Sequence, residues 1–123
     1  MLYNAAAHRG KGNALLHLRR YEEAVEAYEQ AIRLNPNDAE VYRRKGIALY
    51  GPGRYEESIN AYEQAIRLNP NNAEAHSGKG DALNALGRYN EAVEAYEQAI
   101  RLNPNDAEVR RKKRSILRFR DLG

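Results

Sequence analysis

The side chains that could perform chemistry are few, and they fall on a regular spacing. His8 and His76 stand 68 residues apart, twice a period of 34 that runs through the chain. Stacked units step by roughly one helix-pair width, on the order of 10 Å, so two such histidines cannot chelate one ion. His17 is isolated, and with no cysteine present, disulfides and thiolate metal sites are excluded. The paired carboxylates Glu22-Glu23 and Glu56-Glu57 recur with the same period at predicted helix starts. There they suit the helix dipole better than general acid/base work. Gly10-Lys11-Gly12 and Gly78-Lys79-Gly80 fall inside a helical pattern and read as packing glycines. No P-loop, GxSxG or HExxH motif occurs. The chain is therefore read as a non-enzyme without metal, cofactor or small-molecule substrate.

The elements behind this spacing are explicit. Residues 27–37 read Ala-Tyr-Glu-Gln-Ala-Ile-Arg-Leu-Asn-Pro-Asn and return unchanged at 61–71 and 95–105. A fixed period of about 20 to 50 residues signals stacked repeats. The units are 5–38, 39–72 and 73–106, and a partial unit, 107–120, is expected to cap the array, giving one domain over 1–123. Each unit divides into two helical stretches, the first near Asn4–Leu18, Asp38–Tyr50 and Asn72–Leu86. The second runs near Tyr21–Leu34, Tyr55–Leu68 and Tyr89–Leu102. Asn4, Asp38, Asn72 and Asp106 share one repeat position and are expected N-caps. Pro36, Pro70 and Pro104 stop the second helices, because proline disfavours helix in the residue before it. Short turns make each pair antiparallel. Gly12, Gly46 and Gly80 share one first-helix position, and mid-helix glycine costs about 0.5–1 kcal/mol, so close packing is expected there. Tyr28, Tyr62 and Tyr96, with Tyr21, Tyr55 and Tyr89, supply the bulk opposite and are read as core.

The 34-residue helix–turn–helix unit, its mid-helix Gly, its Tyr after the turn, its paired Ala and its terminal Pro resemble the tetratricopeptide repeat (TPR) family. The usual early aromatic of the first helix is replaced by His8, Tyr42 and His76. The resemblance implies an all-α, right-handed superhelical solenoid that binds a peptide or helix of another protein on its concave face. The family's groove positions correspond here to Arg9, Asn13, Leu16 and His17, then Arg43, Arg44, Ile47 and Tyr50, then Ser77, Asp81 and Asn84. Chaperone-binding members grip a terminal carboxylate with two basic residues and two asparagines. Arg9 and Asn13 match half of that clamp, whereas Arg44 stands in place of Asn, and Glu74 and Gly78 in place of basic residues. Arg9, Arg43 and Arg44 suit an acidic or carboxylate-ended peptide, since guanidinium matches carboxylate geometry. Asp81 is expected to oppose it.

Charge narrows the other partners. Residues 1–106 carry 13 Lys+Arg against 15 Asp+Glu, and 107–123 carry 7 against 2. The basic excess thus sits in the last helix, where Arg110 to Arg114 are read as a solvated cap face, and nucleic acid is the less favoured partner. Residues 21–41 and 89–109 differ only at Glu22 versus Asn90, so an idealised or engineered array with no natural ligand is the competing reading. Only Met1, Leu2 and Tyr3 precede the first helix, so end-to-end stacking of copies into a homo-oligomer is a further expectation. No apolar run approaches the roughly 18 residues of a membrane span, and no signal-peptide core is evident, so a cytoplasmic location is expected.

Overall fold

The computed structural model describes the backbone of residues 2–122 and the side chains of residues 4–120. These residues form seven helices and no strand: α1 (Leu2–His17), α2 (Tyr21–Leu34), α3 (Ala39–Tyr50), α4 (Tyr55–Leu68), α5 (Ala73–Ala85), α6 (Tyr89–Leu102) and α7 (Ala107–Leu122). Consecutive helices pair as hairpins, α1 with α2, α3 with α4 and α5 with α6, and each second helix packs on the next first helix. First helices also touch one another, α1 on α3 and α3 on α5, and so line the inner side of an all-α solenoid.

Local chemistry starts and stops the helices. The Asp38 carboxylate accepts from the main-chain N–H groups of Glu40 and Val41, at 3.1 and 3.4 Å. Asn72 and Asp106 do the same for α5 and α7. Such caps satisfy donors that a helix start leaves unpaired. Asn4 departs from this pattern: α1 already runs through it from Leu2, so it is not an N-cap. Asp38, Asn72 and Asp106 each follow an Asn-Pro-Asn or Pro-Asn turn that breaks the helix upstream, whereas Leu2 and Tyr3 precede Asn4 and are helical. The second helices end at Leu34, Leu68 and Leu102, two residues before each proline.

The inter-helix turns share one unusual backbone position. Arg19, Gly53 and Gly87 stand 34 residues apart and have φ of 61°, 86° and 77°. The arginines that follow, Arg20, Arg54 and Arg88, each clamp a carboxylate three residues on, Glu23, Glu57 and Glu91. Arg54 and Arg88 also reach back one unit, to Glu22 at 2.8 Å and Glu56 at 3.5 Å.

The core is built from tyrosine on glycine. A Cβ on Gly12 would lie 2.5 Å from the Tyr28 ring, one on Gly46 2.9 Å from Tyr62, and one on Gly80 2.7 Å from Tyr96. Glycine therefore lets each ring pack closely on the first helix of its hairpin. Tyr28 and Tyr96 are almost fully buried, and each such side chain stabilises the fold by roughly 1.5–3 kcal/mol. Ala24, Ser58 and Ala92 share a fully buried position, and the Ser58 hydroxyl donates to the Gly46 carbonyl at 2.7 Å. Val109, Ile116 and Leu117 of α7 pack against Ala95, Tyr96 and Ala99, covering the last hairpin. Periodic ion pairs cross each inter-unit seam: Lys45 to Glu29 (3.4 Å), Lys79 to Glu63 (3.2 Å) and Lys113 to Glu97 (3.1 Å). The apolar end assigned to Met1, Leu2 and Tyr3 lies outside the described side chains. Among the described residues, no helix is long and apolar enough to cross a membrane.

Candidate functional site

The inner side carries the residues that differ between units. On α1, Arg9 is exposed and its guanidinium pairs with Asp38 at 3.0 Å, tying α1 to the cap of α3. Asn13 accepts the Tyr28 hydroxyl through Oδ1 at 2.7 Å, and its amide N–H₂ has no partner among the described residues. Leu16 is half-buried, and His17 is exposed at the end of α1.

On α3, Arg43 and Arg44 converge on one carboxylate. Arg43 donates from Nε and Nη2 to Glu40 at 2.9 and 2.6 Å, and from Nη1 to Glu74 at 3.4 Å. Arg44 Nε donates to the same Glu40 at 3.2 Å. These donors hold the Glu40 carboxyl below its usual range, Arg43 foremost, with burial opposing. The Arg43 side chain is only 11 % exposed, against 34 % for Arg44. Arg44 is thus the more accessible cation, while Arg43 fixes the local frame. Ile47 and Tyr50 complete the helix's inner edge, and the Tyr50 ring meets Tyr55 edge-on at 5.2 Å.

On α5, Ser77 donates to the Glu74 carbonyl at 3.2 Å, and Asn84 is exposed. Asp81 is not the bare negative charge expected from the sequence. It accepts the Tyr96 hydroxyl at 2.5 Å and the Lys112 ammonium at 3.1 Å. Lys112 partly neutralises the negative charge that Asp81 brings to this position. Burial raises the Tyr50 hydroxyl's pKa, Asp81 and Tyr55 add to the rise, and Lys112 opposes it. Tyr62 and Tyr96 are raised further, by burial first.

Lys112 and Glu40 are not among the groove residues expected from the sequence, yet both pair with residues that are. Lys112 occupies the repeat position of Arg44 and Gly78, so carrying the 34-residue register into α7 would have found it. Within the basic run the lysines are engaged, Lys112 with Asp81 and Lys113 with Glu97, while Arg110, Arg114 and Arg118 face solvent. Phe119 packs edge-on against Tyr89 at 5.5 Å.

The cavities on the outer seams lie elsewhere. About 520 Å³ opens along the seam of α5 and α6, bordered by His76, Lys79, Glu94 and Arg101. Smaller crevices of about 210 Å³ recur at the equivalent seams, beside His8 and Lys11 and beside Tyr42 and Lys45. These are features of hairpin geometry, away from Arg44, Tyr50 and Asp81. Among the described residues, no group of three or more His, Asp or Glu side chains is placed to hold a metal ion.

Known proteins agree with this architecture. Solved structures with the same fold include the first TPR of Spaghetti (RPAP3) bound to the HSP90 peptide SRMEEVD, at 24% identity and a TM-score of 0.93, over 96% of this chain and 94% of that one. The second TPR domain of human RPAP3, in complex with the HSP70 peptide SGPTIEEVD, matches at 26% identity and a TM-score of 0.89, over 93% and 95% of the two chains. The Arabidopsis OM64 TPR domain matches at 23% identity and a TM-score of 0.91, over 94% and 95%. No curated protein sequence matches the chain significantly. Sequence profiles described as tetratricopeptide repeat match residues 43–107 and 5–38. With hairpin geometry, glycine–tyrosine packing and sequence profiles in agreement, the chain belongs to the tetratricopeptide repeat family.

Proposed function

We propose that the chain is a non-enzymatic interaction module of the cytoplasm that binds an extended, acidic segment of a partner protein along its inner face. One observation carries this reading: first-helix positions that vary between units gather on one side, and accessible cations, Arg9 and Arg44, stand there beside the free amide of Asn13. The framework around them is duplicated almost letter for letter. The peptides named with the two RPAP3-type domains are acidic and end in Glu-Glu-Val-Asp, a chemistry that suits these donors. Glu74 and Gly78 remove the basic pair of the third unit, so recognition rests on α1, α3 and the Lys112 side of α7.

The test is calorimetric titration of the intact chain with SRMEEVD, with SGPTIEEVD and with a scrambled neutral control. Binding in the micromolar range is expected for at least one acidic peptide. Arg44→Ala and Arg9→Ala should each weaken it roughly tenfold, the worth of one charge-assisted hydrogen bond. Equal heats for acidic and neutral peptides, or no response to either substitution, would remove the assignment. The idealised-array reading is favoured by the near-identity of 21–41 and 89–109, and it predicts no binding to any of these peptides.

A further inference from the structure

The last helix turns a row of cations outward. Val109 and Ile116 of α7 are buried against α6, and Arg110, Arg114 and Arg118 lie on the opposite side, all exposed. Among the described residues, none of these three guanidinium groups has a hydrogen bond or ion pair. Four residues of helix rise by about 6 Å, so the side chains leave α7 as an evenly spaced row. By the repeat register they stand at the positions of Tyr42, Gly46 and Tyr50 in α3. There the same face receives α4, whose Tyr62 ring packs on Gly46. Arginine in place of that glycine fills the seat, so this face is not built to take a further repeat helix.

A second row lies beside the first and comprises Arg111, Ser115 and Phe119. Ser115 and Phe119 line a shallow crevice of about 180 Å³ together with Asn84, Tyr89 and Ile116. Phe119 is 61 % exposed, yet its ring is held edge-on against Tyr89 at 5.5 Å. Neither the Ser115 hydroxyl nor the Asn84 amide has a side-chain hydrogen bond among the described residues. The crevice thus sets an aromatic wall and free polar groups next to the arginine row.

We propose that α7 binds a single-stranded nucleic acid, with phosphates along Arg110, Arg114 and Arg118 and one base in the crevice. The base stacks on Phe119 with its edge toward Asn84 and Ser115. Cations supply attraction that is independent of sequence, and an exposed aromatic face supplies stacking; the two together suit a single strand. An acidic peptide would satisfy the arginines and leave the ring and its polar neighbours unused. The contacts fall on phosphate and base, so DNA and RNA strands bind alike. This goes beyond the peptide-binding reading and does not use Arg9 or Arg44.

The test follows the anisotropy of fluorescein-labelled decamers of deoxyadenylate and adenylate with the intact chain, from about 50 to 200 mM salt. Both should bind, and log K should fall against log salt with a slope of about −2, from three phosphates at about −0.7 each. Arg114→Ala should reduce that slope by about 0.7. Phe119→Ala should weaken binding roughly tenfold at an unchanged slope, whereas Phe119→Tyr, which keeps the aromatic face, should retain it. Arg33→Ala removes the same charge from the end of α2 and should leave binding unchanged. Melting curves verify that each variant folds. An abasic decamer and a polyglutamate of equal charge should bind roughly tenfold more weakly than deoxyadenylate. Equally tight polyglutamate would overturn the proposal in favour of an acidic polypeptide. No binding, no effect of Phe119→Ala, or equal losses from Arg33→Ala and Arg114→Ala would overturn it as well.

Discussion

Arg19→Gly should make the protein more stable, against the usual cost of placing glycine in a folded chain. Arg19 holds φ at 61°, in the left-handed region, where its two repeat equivalents are Gly53 and Gly87. A residue with a Cβ in that conformation costs roughly 1–2 kcal/mol. The Arg19 side chain is exposed and makes no hydrogen bond or ion pair among the described residues, so little is lost by removing it. Its backbone N–H donates to Leu16 at 3.0 Å, a bond that glycine retains. Glycine also widens the unfolded ensemble, which offsets about 0.4–1 kcal/mol of the gain. The net expectation is a stabilisation of about 0.5–1 kcal/mol, or roughly 3 °C in melting temperature for a chain of this size. Urea denaturation followed by far-ultraviolet circular dichroism measures it, with Gly87→Ala as the reciprocal change, expected to destabilise by about 1 kcal/mol or more. If Arg19→Gly lowered the midpoint, or Gly87→Ala raised it, the strain assigned to this turn would be refuted.

Gly80→Ala places a Cβ 2.7 Å from the Tyr96 ring. Overpacking of this kind costs about 1–3 kcal/mol, only partly offset by alanine's better helix propensity, so the urea midpoint should fall. Glu40→Gln should act mainly in acid. Its carboxyl pKa is lowered in the folded state, so it contributes stability above the unfolded value of 4.5, and that contribution is lost as pH falls through the folded value. The variant should therefore lose stability less steeply than the wild type below about pH 4.5, while at neutral pH the loss should stay under about 1 kcal/mol because the pair is partly exposed. Stability curves between about pH 3 and pH 7 test this, and parallel wild-type and variant curves would refute it.

Much of the fold was legible because local chemistry and long-range packing repeat together. Asp38, Asn72 and Asp106 could be read as caps because each follows the same helix-breaking turn. Asn4 shares their register without that turn, and α1 runs through it. Gly12, Gly46 and Gly80 announced close approach, and the tyrosine rings fill it. The inner face was legible only in outline. Its positions could be named, but whether each charge is free depends on partners some 30 residues away. Asp81 looked bare until Lys112 reached it from α7, and Arg43 looked available until Glu40 and Glu74 enclosed it. Tyr28, Tyr62 and Tyr96 look equivalent in the sequence, and only their neighbours separate them: Asn13 and Asp81 accept from the outer two, where the middle unit has Ile47.

The tyrosine-on-glycine contact divides labour within one side chain. The ring acts as a spacer whose thickness sets the distance between the helices of a hairpin, and the glycine beneath fixes its seat. The hydroxyl at the far end meets whatever the inner face presents: an amide at Asn13, a carboxylate at Asp81, nothing polar at Ile47. Because the seat and the tip touch different residues, the tip's neighbour can be rewritten without moving the spacer. The three units then behave as separately editable letters on a fixed ruler, so changes of specificity and changes of pitch can accumulate independently in such a chain.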